Sequence, residues 1–127
     1  MELEPGLTAR VALTVTDADT AQTLGSGDVP VLGTPRVLAL VEAATVRATA
    51  RHLPTGTTTV GTRVELEHLV ATPVGGTVTA EARLSTVDGN RLSFAVTVHD
   101  GSDRLAARGT VVRALVEREK FLAKVAP

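Results

Sequence analysis

The sequence has no cysteine, no tryptophan, no tyrosine and only two phenylalanines among its 127 residues. Without thiols it can form neither disulfides nor thiolate metal sites. So few aromatic rings leave no platform for the base stacking that RNA-binding sheets and single-strand binders use. Charge of one sign is also lacking: 13 basic and 14 acidic residues give a formal net charge of −1, with no basic run. An electrostatic footprint for nucleic acid is missing, so none is expected as a partner. No apolar run approaches the roughly 20 residues that cross a bilayer, and no membrane partner is expected. The N-terminal stretch carries Glu2 and Glu4 in place of a signal peptide's basic start and apolar core, which makes the cytoplasm the expected compartment. His52, His68 and His99 are too far apart for a metal motif, so no metal is expected.

What is present is a Val-, Ala- and Leu-rich chain, 43% hydrophobic, long enough to bury a core and expected to form a single domain over residues 1–127. Thr8 to Val15 alternates as a strand. Asp17 to Val31, with Gly25, Ser26, Gly27 and Pro30, reads as irregular, and a connection of that length is often functional. Thr34 to about His52 reads as the one long helix, with Thr34 as N-cap and Pro35 at the first helical position. Its expected apolar face is Val37, Leu38, Val41, Ala44, Thr45 and Ala48. Beyond the Pro54-Thr55-Gly56 break come four strand-like runs: Thr57 to Val70, Thr77 to Thr86, Arg91 to His99 and Arg104 to Leu115. Asp88-Gly89-Asn90 and Asp100-Gly101-Ser102 are the turns between the last three. One helix among consecutive hairpin-joined strands implies an α+β fold with an antiparallel sheet.

Four residues in this pattern can carry chemistry. Val64, Leu66, His68 and Val70 share one face of a strand, so His68 points toward the core or a pocket. A half-buried neutral imidazole is an acid, a base or an orienter, or else a core histidine satisfied by a backbone carbonyl. Glu42 lies at the margin of the helix's apolar arc with Val46 at i+4, so no local ion pair explains it; it is a solvated edge residue or a buried acid with a partner. Thr34 is either the N-cap alone or a reacting hydroxyl. Arg113 falls in phase with Leu105, Val111 and Leu115 and needs a partner unless it snorkels to solvent.

The order of elements resembles a hot-dog fold, about five antiparallel strands wrapped around one long helix. Val31-Leu32-Gly33-Thr34, then Leu40-Val41-Glu42 and Val46-Arg47-Ala48, resemble the fluoroacetyl-CoA thioesterase family. So do Gly61-Thr62 leading to His68 and Ala71-Thr72-Pro73, the His99-Asp100-Gly101 turn, and Glu119-Lys120-Phe121 with Ala123-Lys124. The likeness spans roughly Leu32 to Val125. It implies catalytic Thr34, Glu42 and His68, with Gly61, Arg113 and Gly33 as oxyanion- and substrate-binding residues. It further implies a coenzyme A thioester as substrate, no cofactor, and a homodimer, with a tetramer left open. Ala18 to Val31 is shorter than the family's segment and has no aromatic, so a small acyl-CoA in general is expected rather than fluoroacetyl-CoA alone. A non-catalytic acyl-CoA binding or sensing module on the same scaffold is the alternative. An enoyl-thioester hydratase is disfavoured, because its Asp or Asn with His motif is absent.

Overall fold

Alternation of apolar and polar residues builds five strands: β1 (Thr8–Thr14), β2 (Thr57–His68), β3 (Thr77–Asp88), β4 (Arg91–Asp100) and β5 (Leu105–Glu117). The computed structural model describes residues 3–127, so Glu2, used above in reading the N-terminus, lies outside the described residues. The strands form one sheet in the order β1-β3-β4-β5-β2, with every neighbouring pair antiparallel. Among the described residues three α-helices accompany it: α1 (Ala21–Leu24), α2 (Thr34–Thr49) and α3 (Arg118–Val125). A 3-10 turn, Ala50–His52, prolongs α2 to the expected end.

α2 packs across the sheet, mainly against β1 and β3. Val37, Leu40, Val41, Ala44 and Ala48 meet alternate residues of β3 (Val78, Ala80, Ala82, Leu84) and β4 (Leu92, Phe94, Val96, Val98) in one core. Alanines at positions 44, 80 and 82 are fully buried and let the helix lie close to the sheet. The buried Thr45 and Thr49 hydroxyls donate to the carbonyls of Glu42 and Thr45, so neither is orphaned. The helix is rotated slightly from the expected face: Leu40 is fully buried, whereas Leu38 is only half-buried.

Thr34 is not the N-cap. Gly33 holds that position in extended conformation, and Thr34 and Pro35 open the helix. Asp19 supplies the tie that a capping side chain would otherwise give. Its carbonyl accepts from Gly33 N–H at 2.9 Å, and its carboxylate accepts from Arg36 Nε at 3.0 Å. Asp19 belongs to a 3-10 turn, Asp17–Asp19, followed by α1, so the stretch expected to be irregular is folded in two short pieces. The other departure is α3, whose eight residues bury nothing and carry too weak an apolar periodicity to read as a helix.

β2 is an edge strand twelve residues long. It carries one irregularity: the pairing with β5 runs Gly61↔Arg113, then Arg63↔Val112, leaving Thr62 as an extra residue. Upstream of that bulge Thr59 and Gly61 face α2; downstream Val64, Leu66 and His68 do.

Candidate functional site

The residues singled out by sequence gather in two groups on the helix side of the sheet. The first is at the start of α2. Thr34 Oγ1 lies 2.9 Å from His68 Nδ1, joining the first helical residue to the last residue of β2. With the ring proton on Nε2, Nδ1 is an acceptor and the Thr34 hydroxyl donates to it. His68 is half-buried, as its strand phase requires. Burial lowers its pKa below the ordinary histidine value, opposed by a backbone hydrogen bond at Val70 that stabilises the charged ring. The net effect keeps the imidazole neutral near pH 7, as a proton acceptor must be.

Gly33 sits beside this pair but cannot serve a ligand through its amide, because that N–H is donated to Asp19. A side chain there would meet the Ala21 backbone and Leu24 Cδ1 at 3.1 Å, so the close approach of α1 favours glycine. The Arg36 and Val37 amides both donate to Gly33 O, and Pro35 has none. Among the described residues the Thr34 N–H is therefore the uncommitted donor of the first turn, at the positive end of a helix 16 residues long.

The second group joins α2, β2 and β5. Arg113 is 7% exposed and donates from Nη1 to Glu42 Oε2 at 3.0 Å. Its other edge faces Thr59, with Nε donating to Oγ1 at 2.9 Å and Nη2 to the carbonyl at 3.0 Å. So Arg113 has a partner and does not snorkel, and Glu42 is not a solvated edge residue. Desolvation lowers the Arg113 pKa and the Glu42 charge opposes this; a guanidinium stays protonated throughout the working range. Gly61 borders the same pair, and a Cβ there would overlap the Glu42 carboxylate. Thr59 escaped the sequence reading, since a threonine on a strand shows nothing of its partner. Its one available signal was its place two residues before Gly61.

The two groups do not merge within one chain. Eight residues of helix separate Thr34 from Glu42, roughly 12 Å of axial rise. A hydroxyl beside a neutral imidazole can attack a carbonyl while the imidazole takes its proton, and a fixed carboxylate can orient or charge-stabilise a partner.

A family model described as fluoroacetyl-CoA-specific thioesterase matches residues 15–119. The chain belongs to the fluoroacetyl-CoA-specific thioesterase family. Among its relatives, the fluoroacetyl-CoA thioesterase of Streptantibioticus cattleyicolor is 45% identical over 95 residues, covering 75% of this chain and 68% of that protein. A solved variant of a fluoroacetyl-CoA thioesterase in complex with acetyl-CoA superposes with a TM-score of 0.90 at 36% identity, over 97% of this chain and 96% of that one. A hot-dog-like protein from Thermanaerovibrio acidaminovorans superposes with a TM-score of 0.83 at 22% identity, over 97% and 93%, and shares the fold. The α+β hot-dog architecture expected from the sequence is thus the architecture of this family member. Among the described residues no helix is long and apolar enough to cross a membrane.

Proposed function

We propose that this chain is an acyl-CoA thioesterase, hydrolysing a small acyl-CoA to the free acid and coenzyme A. The observation that carries the reading is the 2.9 Å contact between Thr34 Oγ1 and His68 Nδ1, a nucleophile and a base at hydrogen-bond distance in a member of a thioesterase family. In the proposed reaction the Thr34 oxygen attacks the thioester carbonyl while its proton passes to His68. The developing oxyanion is met by the Thr34 N–H at the helix start. The carbon–sulfur bond then breaks, and the thiolate leaves with the proton from His68. Water attacks the acyl-threonine, with His68 again the base, and releases the acid.

Glu42 enters from a second copy in this proposal. Its 12 Å axial distance from Thr34, roughly, keeps it from its own His68, whereas β2 offers a long unpaired edge that a second β2 can extend. A homodimer of that kind brings the Glu42 group of one copy to the Thr34–His68 pair of the other. The compartment we propose is the cytoplasm.

The test is thiol release from acetyl-, fluoroacetyl-, medium-chain and arylacetyl-CoA, run beside His68→Ala. Turnover of at least one substrate, reduced about 10²-fold or more in the variant, is the expected result. Binding of acyl-CoA with no turnover across the panel would replace the enzyme by a binding module.

A further inference from the structure

We infer that Thr59 is a positioning residue for Glu42, acting through Arg113. The inference rests on the thioesterase reading above and gives a role to a residue that reading does not use. A guanidinium is planar, and two bonds along one edge fix the orientation of the whole group. Thr59 supplies both: its hydroxyl accepts from Nε at 2.9 Å and its carbonyl accepts from Nη2 at 3.0 Å. With that edge anchored, Nη1 projects at the Glu42 carboxylate, 3.0 Å away. Gly61 leaves the space the carboxylate occupies.

Arg113 is thereby committed. All three nitrogens are engaged inward and its side chain is 8% exposed. It orients a carboxylate instead of receiving a coenzyme phosphate from solvent. Glu42, whose side chain is 32% exposed, is the member of the group that remains open to a ligand. The carbonyl half of the Thr59 contact is backbone and survives any substitution; the hydroxyl half depends on the side chain. Without the hydroxyl, Nε is a buried donor with no partner, and the guanidinium gains by rotating toward another acceptor, carrying Glu42 with it.

The experiment compares Thr59→Val, which keeps shape and deletes the hydroxyl, with Thr59→Ser, which keeps the hydroxyl. The two readouts are steady-state kinetics and the nuclear magnetic resonance signal of the Arg113 Nε–H, assigned with Arg113→Lys. In Thr59→Val we expect kcat to fall about tenfold, the scale of one hydrogen bond to a charged group, with KM within about twofold of wild type. Thr59→Ser should restore kcat. The Nε–H signal should be slow to exchange in the wild type and in Thr59→Ser, and fast in Thr59→Val. Unchanged kcat in Thr59→Val overturns the inference, as does a rise in KM alone, which would make the group a binding element. Equal losses in Val and Ser variants that follow the folded fraction also overturn it. If Thr59→Val does not fold, Thr59→Ala against Thr59→Ser decides by the same criteria. A wild type that turns over no thioester defeats the thioesterase reading, while the Nε–H signal still judges the clamp: fast exchange in the wild type removes it, and protection lost only without the hydroxyl sustains it.

Discussion

At the scale of single residues, the neutrality of His68 sets the pH behaviour. Its pKa is lowered from 6.5, chiefly by desolvation. Turnover should therefore hold at and above neutrality and fall on the acid side as the imidazole takes up a proton, as a pH–rate profile would show. Linkage has a matching sign: the unfolded chain takes up the proton first, so this site costs no stability above 6.5 and destabilises the fold as pH drops below it. A pH–rate profile with no fall on the acid side would remove His68 as the base. Gly61→Ala is the second residue-scale prediction. Its Cβ displaces the Glu42 carboxylate, not backbone, and loosens its pairing with the buried Arg113, so activity should drop about tenfold or more while stability falls by no more than about 1–3 kcal/mol. A large fall in stability with intact activity would make Gly61 merely structural. His68 was legible in the sequence because a period of two on a strand tells which face a residue takes. Arg113 was legible as inward for the same reason, but its partners were not, since contacts between β5, β2 and α2 join residues 54 and 71 apart in sequence.

At the scale of elements, the start of α2 is held by a loop in place of a capping side chain. Asp19 accepts from the Thr16 amide at 2.8 Å, from the Thr16 hydroxyl and from Arg36, and these contacts lower its pKa below 3.8, the Thr16 backbone bond most of all. The contribution is present above 3.8 and is lost as pH falls through the lower, folded-state value. Asp19→Asn should thus cost about 1–3 kcal/mol at neutral pH and flatten the acid limb of the stability curve, read by thermal melts between neutrality and pH values below 3.8. Identical melts for the two proteins would dismiss the tether. The strands and the long helix could be read in advance because each has a period of its own. The loop could not, because backbone bonds such as Ala21 N–H to Val31 O and Leu32 N–H to Thr72 O leave no mark on composition. Nor could the replacement of Thr34 by Gly33 as N-cap, since Thr is the better capping residue on propensity alone; His68 and Asp19 decide the outcome.

At the scale of the whole molecule, the separation of the two groups makes the proposed site a property of a pair of chains. Glu42→Gln and His68→Ala, each inactive alone, should recover activity when mixed and allowed to exchange, up to roughly a quarter of wild type by random pairing. Half the dimers would then be mixed, and one of their two sites would hold only native groups. No recovery, with mixed dimers shown to form, would place the site within one chain. The extra residue at Thr62 bears on this architecture in another way. β2 is read in two frames, much as a coding sequence is after an insertion: Thr59 and Gly61 obey one parity, His68 the other. The bulge is what reconciles the two: were Thr62 drawn into regular pairing, a strand with His68 kept inward would turn Thr59 and Gly61 to the opposite face of the sheet, undoing the Arg113 anchorage without altering a single reacting group.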